Sequence, residues 1–280
     1  MFTHDESSIQ HVPIRKVIPS VITTASMCCG LASIHFSLKA DTDEHLKTAL
    51  FAVGLAALLD TLDGRAARLL KATSRFGAVL DSLSDLVAFG VAPGLLLHQW
   101  MLKDQGSLGL AAVVAFVMCS ALRLARFTSM PRQKPARSAL AMFFQGLPTP
   151  AAAGAVLAPV MLDVSRYAHI RSEKVVSPEY IQALGPALVI ANTFVVAALM
   201  ISRIPMFSFK KVRIRRAAVV PLLALMGLLV IALFKDPWLT MPLIVWGYLA
   251  TIPFSYSAYR KASAEIRRLE SQNVTPGVVG

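Results

Sequence analysis

The chain has 280 residues, of which 55% are hydrophobic and 16% charged, with a mean hydropathy of +0.60. Those proportions exclude a disordered or ordinary water-soluble protein and describe one that crosses a membrane several times. The net charge of +12 would suit a nucleic-acid binder, but there is no basic soluble module to carry that function, so nucleic acid is not an expected partner.

A membrane-spanning helix needs about 20 mostly apolar residues. In chain order the sequence predicts spans at roughly 17–38, 46–66, 77–100, 107–127, 148–164, 183–202, 217–234 and 238–256. Short loops join them, with no internal repeat and no soluble domain. The polar segment 1–16 precedes an apolar run long enough to stay as an anchor, so no cleaved leader is expected. Residues 260–280 read as a polar tail, disordered from Ser271 to Gly280.

Most of the 28 Lys and Arg gather in four clusters, Arg65 to Arg75, Arg123 to Arg137, Arg203 to Arg216 and Arg260 to Arg268. An N-terminus in the cytoplasm puts all four on that side, as the positive-inside rule requires, and leaves both termini there. Such a face attracts anionic lipid headgroups, which accounts for the net charge. His35, His98 and His169 fall on the outer side. Cys28 and Cys29 are adjacent and Cys119 is distant, a spacing suited neither to a disulfide framework nor to a thiolate metal site, so they read as packing residues.

The second and third spans carry Asp60, Asp63, Asp81 and Asp85. An acid inside a membrane helix costs roughly 3 kcal/mol on insertion scales, so four of them call for a cation. Spacings of three and four bring each pair onto one helix face, and the turn containing Arg68, Lys71 and Arg75 places both pairs near the cytoplasmic surface. Four carboxylates without His or Cys form a hard-ligand set for Mg²⁺, Mn²⁺ or Ca²⁺. Gly64 and Gly77 allow close approach of a ligand, and Ala66, Ala67, Ala72 and Ala78 keep the cleft open. The competing reading is simple pairing of the acids with Arg65, Arg68 or Arg75.

Asp60, Asp63, Gly64, Ala67, Arg68, Gly77, Asp81 and Asp85 fill every position of the pattern DxxDGxxARx8Gx3Dx3D. On that motif the chain resembles the CDP-alcohol phosphatidyltransferases. FGVAP after Asp85, RLARF from Arg123, FFQGLPTPAAAG from Phe143 and SRIPMFSFK from Ser202 are similar to the phosphatidylserine synthases within that family. The resemblance runs from about Ile18 to Lys211. It implies an all-α polytopic fold with a six-helix catalytic core over residues 17–211, about two additional membrane helices over 212–259, and a homodimer. It also implies transfer of a phosphatidyl group from CDP-diacylglycerol to L-serine, with CMP as the second product and Mg²⁺ or Mn²⁺ as cofactor, two ions being expected.

The same resemblance assigns Asp60, Asp63 and Asp81 to metal, with Asp85 both sharing an ion and serving as general base. Gly64, Ala67, Arg68 and Gly77 are assigned to the liponucleotide. One departure stands out. Similar synthases often carry Asn in a PNxxTxxN pattern before CG, whereas this chain has Pro19, Ser20, Thr23 and Ser26 before Cys29 and Gly30. An amide contact from the first helix to the nucleotide is therefore not expected.

Serine presents a carboxylate, which an arginine fork can bind, and Arg123 and Arg126 near the cytoplasmic end of the fourth span are the candidates. Arg132, Lys134 and Arg137 are candidates for donor phosphates, with plain positive-inside anchoring as the alternative for all five. Gly146, Pro148 and Pro150 mark a break at which a helix starts beside the cleft. Another acceptor, glycerol 3-phosphate above all, stays open on the sequence. So does an ion-coupled transporter, although that would spread its charges across the membrane depth. The expected location is a bacterial-type cell membrane with the site facing the cytoplasm.

Overall fold

Each apolar run of the chain folds as a helix, because in lipid only a helix satisfies its own backbone polar groups within one segment. The structure is a computed structural model and describes residues 14–39, 42–72, 74–129, 143–170, 179–207 and 216–273. The helices are α1 (Ile14–Leu38), α2 (Asp43–Leu69), α3 (Arg75–Asp85), α4 (Ala92–Leu97), α5 (Gly106–Ser129), α6 (Thr149–Ile170), α7 (Glu179–Ile201), α8 (Arg216–Lys235), α9 (Pro237–Ala250) and α10 (Ile252–Asn273). Among the described residues, four stretches are long and apolar enough to cross a membrane: Val17–Leu38, Asp43–Leu69, Arg75–Ser129 and Pro237–Arg260. The third of these folds back on itself at Gly106 and holds two spans. Shorter apolar helices cover Thr149–Ser165, Gly185–Ile201 and Val219–Lys235. All eight expected spans coincide with helices, and the chain is an all-α integral membrane protein.

Three local features depart from the expected plan. Helices α3 and α4 form one rod in which Leu86–Val91 is π-helical, followed after Leu97 by a second π-helical stretch, His98–Leu102. Pro93 explains the first: it lacks an N–H and its ring crowds the carbonyl one turn back, a conflict that a wider turn relieves. Second, Phe143–Gln145 (β1) and Pro205–Phe207 (β2) form a short antiparallel ribbon, pairing Phe143 with Phe207 and Gln145 with Pro205. Third, α10 continues to Asn273, so Ser271 to Asn273 are helical where disorder was expected. The remainder of that tail, 274–280, lies outside the described residues.

Packing follows membrane rules, in which lipid supplies no hydrophobic drive between helices and close van der Waals approach does the work. Ala49, Ala52, Ala56, Ala88, Ala92, Ala112 and Ala152 to Ala158 are prominent in the interior, together with Leu46, Phe89, Phe116 and Leu157. Where α1 crosses the rod, a Cβ on Gly30 would lie 2.8 Å from the Ala88 Cα, so only glycine permits the crossing. Outward faces carry large apolar side chains, Val220 and Phe234 of α8 among them, at 73% and 87% exposure, which suits lipid rather than water. Helix α1 packs on α2 and the rod, α5 on α7, and α6 on α9, while α8 packs mainly on α9. Cys28, Cys29 and Cys119 are free thiols, the last two resting against the core.

Candidate active site

The turn between α2 and α3 is built by caps. The Leu70 N–H donates to the Ala66 carbonyl and the Ala72 N–H to the Ala67 carbonyl, both at 2.9 Å, while Lys71 takes a left-handed φ of 49°. Ser74 then caps α3 by accepting the Gly77 N–H at 2.9 Å. This sharp reversal sets the end of α2 beside the start of α3. Carboxylate oxygens of Asp60, Asp63 and Asp81 consequently lie within 4.8 Å of one another. Asp85, one turn deeper than Asp81, lies close to Asp60.

Three converging carboxylates fit a hard divalent ion, and the alternative of simple ion pairing can be tested against the geometry. None of Arg65, Arg68 and Arg75 pairs with these acids among the described residues. The Arg68 Nε instead donates to the Gly64 carbonyl at 2.9 Å. Asp60, Asp63 and Asp81 therefore have oxygens to spare, and none of these three arginines satisfies them among the described residues.

Beside the acids opens a cavity of about 300 Å³ lined by Pro19, Ser20 and Thr23 of α1, Asp63, Gly64, Ala67 and Arg68 of α2, and Ala72, Ser74, Gly77, Ala78 and Asp81. Gly64, Ala67, Arg68 and Gly77 thus line the cavity as the motif implies. A Cβ at Gly64 would meet no protein atom within 4 Å, so packing does not demand glycine there. The space it leaves is space for a ligand.

Helix α1 holds this wall in place through hydroxyls. Thr23 Oγ1 donates to Asp63 Oδ2 at 2.6 Å, shorter than its 2.9 Å approach to the Pro19 carbonyl, as expected when the acceptor is charged. Ser26 Oγ donates to the Ala56 carbonyl at 2.9 Å and Ser84 Oγ to the Thr23 carbonyl at 3.1 Å. Thr23 and Ser26, which stand in the segment where similar synthases often carry Asn, therefore buttress the acids. The Thr23 contact was not foreseen, and the signal for it was the departure in that segment itself.

Arg123 of α5 lies within electrostatic reach of Asp85. The Arg123 Nη1 donates to Thr149 Oγ1 at 2.7 Å, and its guanidinium carbon sits 4.7 Å from the centre of the Phe127 ring. Its Nε is buried without a hydrogen-bond partner among the described residues. Arg126 is half-buried one turn further along. Arg132, Lys134 and Arg137 lie outside the described residues. Gly146 (φ 75°) makes the turn into α6, where a side chain would collide with the Met200 carbonyl, and Pro150 occupies the first turn of that helix. Thr149, in the same turn, was not singled out by sequence. Far from the acids, Trp100 Nε1 donates to Asp163 Oδ2 at 2.9 Å, joining the end of the rod to α6.

Residues 16–172 match the family model described as CDP-alcohol phosphatidyltransferase. A protein of Mycobacterium leprae (strain TN) named CDP-diacylglycerol--serine O-phosphatidyltransferase is 33% identical over 249 residues, covering 89% of this chain and 77% of its own. A match of that length extends into the helices beyond α7. Proteins of the same name from Helicobacter pylori (strain ATCC 700392 / 26695) and Bacillus subtilis (strain 168) are 33% and 35% identical over 197 and 133 residues. Those matches cover 70% and 48% of this chain and 74% and 69% of the relatives. With its complete aspartate motif folded into one cleft, the chain belongs to the CDP-alcohol phosphatidyltransferase family.

Proposed function

We propose that the protein transfers the phosphatidyl group of CDP-diacylglycerol to the hydroxyl of L-serine, giving phosphatidylserine and CMP. The observation that carries this reading is the convergence of Asp60, Asp63 and Asp81 beside an open cleft, with Asp85 close to them and within electrostatic reach of the half-buried Arg123. Relatives from three bacterial genera are named for the same reaction. The catalytic core is read as residues 17–211, with 212–259 as additional membrane helices and both termini and the site facing the cytoplasm of a bacterial-type cell membrane. A homodimer is read from the family resemblance, and crosslinking in native membranes tests it.

Asp60, Asp63 and Asp81, with Asp85 sharing one of two ions, would hold Mg²⁺ or Mn²⁺, which neutralises the charge of the pyrophosphate and stabilises the departing CMP. Gly64 and Ala67 leave room for the nucleotide, and the exposed Arg68 at the rim faces its phosphates. Arg123 receives the serine carboxylate, with Arg126 adding positive charge. Asp85 accepts the proton of the serine hydroxyl on a carboxylate oxygen. The freed Oγ bonds to the phosphatidyl phosphorus as the bond from that phosphorus to CMP breaks. Position suits Asp85 to this role, since it lies close to Asp60 and within electrostatic reach of Arg123.

Purified protein given labelled serine should form lipid whose mass is that of phosphatidylserine, and only with CDP-diacylglycerol and a divalent metal present. Activity that survives thorough chelation would sink the reading. A glycerol 3-phosphate product in an acceptor competition would leave the phosphatidyl transfer intact and replace serine.

A further inference from the structure

Thr149 opens α6, and the chain that leads into it is fixed on several sides. The Gly146 N–H donates to the Ile204 carbonyl at 3.0 Å and the Leu147 N–H to the Leu199 carbonyl at 3.2 Å, so the turn is fastened to the end of α7 and the residues just beyond it. Gly146 takes a φ of 75°, and a Cβ there would lie 2.7 Å from the Met200 carbonyl oxygen. The β-ribbon enters the same turn from Gln145, and Ser255 Oγ of α10 donates to the Pro205 carbonyl of its second strand at 2.7 Å. Further along α6, Asn192 Nδ2 of α7 donates to the Ala155 carbonyl at 3.0 Å. Thr149 itself is 1% exposed, and its hydroxyl oxygen has a set position from which it accepts the Arg123 Nη1 at 2.7 Å.

We infer that Thr149 is a positioning residue for Arg123, its hydroxyl turning the guanidinium so that the Nε edge faces the carboxylate of the acceptor. The inference rests on the serine reading of the site. A guanidinium offers one fork between its two terminal nitrogens and another between Nε and the adjacent terminal nitrogen, and a carboxylate can enter either. Thr149 engages Nη1, which belongs only to the first. The second contains Nε, buried with no hydrogen-bond partner among the described residues. Phe127, one turn along α5, covers a face of the group, its ring centre 4.7 Å from the guanidinium carbon. With one fork engaged and one face covered, a long, rotamer-rich side chain is left with a single edge to offer.

Full-length Thr149→Val protein keeps the shape of the side chain and removes the accepting oxygen. Its apparent KM for serine should rise about tenfold, the effect of one hydrogen bond to a charged group. The KM for CDP-diacylglycerol and the kcat at saturating serine should stay within about twofold, since only acceptor binding is touched. Thr149→Ser, which restores the hydroxyl, should bring the serine KM back to within about twofold of the wild type. On an Arg123→Ala background, assayed with labelled serine over long incubations, Thr149→Val should add nothing further, because the group it holds is gone. A hydroxyl that touched the acceptor directly would still lower kcat/KM there when removed.

A serine KM unchanged in Thr149→Val, or in Thr149→Ala should the valine variant not fold, would overturn the inference. So would equal losses for serine and donor, Thr149→Ser behaving no better than Thr149→Val, or full additivity with Arg123→Ala. If wild-type protein forms a lipid other than phosphatidylserine, the serine reading fails by itself. The coupling between Thr149 and Arg123 is then measured on the acceptor that the product mass identifies, and full additivity there overturns the positioning role. Wild-type protein that forms no lipid product would end both readings.

Discussion

The two walls of the cleft are assembled from very different lengths of chain. The donor wall comes from α2 and α3, with all four aspartates and four further motif residues packed between positions 60 and 85 and joined by one capped turn. The proposed acceptor wall takes Arg123 from α5 and Thr149 from α6, side chains that meet only when several helices have packed. Chemistry common to a whole family can be held by a local unit, because binding a pyrophosphate and its cations needs the same few groups each time. In the proposed reading, choice of acceptor depends on groups that only long-range packing brings together.

This contrast can be broken most severely at its boundary, where Asp85 serves both walls. Asp85→Asn should lower turnover by about 10²–10⁴-fold, the usual contribution of a general base, while CDP-diacylglycerol still raises the melting temperature of the protein. Normal turnover in that variant would remove Asp85 as the base. A smaller effect probes the donor wall alone. Thr23→Val deletes the 2.6 Å hydrogen bond to Asp63 and should raise the divalent-metal concentration for half-maximal activity about 10-fold, with the serine KM unchanged. An unaltered metal titration would show that α1 does not orient the ligand set.

The acceptor wall is tested next by Arg126→Ala, which should weaken apparent serine affinity about fivefold, more than donor affinity. Equal losses would reassign Arg126 to membrane anchoring. The smallest effect concerns the hinge of the donor wall. Lys71 adopts a left-handed φ of 49°, a conformation that costs a non-glycine residue roughly 1–2 kcal/mol. Lys71→Gly removes that cost but adds freedom to the unfolded chain, so the net gain should stay below about 1 kcal/mol and show as a slight rise in melting temperature. A clear fall would mean that the Lys71 side chain has a role of its own.

The same difference explains what could be read from the chain before folding. The helices over all eight expected stretches were legible because each is decided by its own run of apolar residues, and the grouping of Asp60, Asp63 and Asp81 because helical spacing and one short turn suffice to bring them together. Thr23 meets Asp63 across 40 positions and Trp100 meets Asp163 across 63, contacts that no local pattern announces. The ribbon was hidden for a related reason: FFQ and PMF are too short for a periodic signal, and each is a strand only because the other is beside it.

The widened turn at Leu86–Val91 begins directly after Asp85. Each residue of a regular α-helix advances about 100° around the axis, so the extra residue in a π turn changes the azimuth of everything beyond it. Asp81 and Asp85 can therefore face the cleft while Trp100, further along the same rod, still reaches Asp163. Deleting one residue between 86 and 91 would keep the span long enough for the bilayer yet twist its two halves out of phase. This rod is thus intolerant of single-residue length changes at a place where its composition alone would suggest complete indifference.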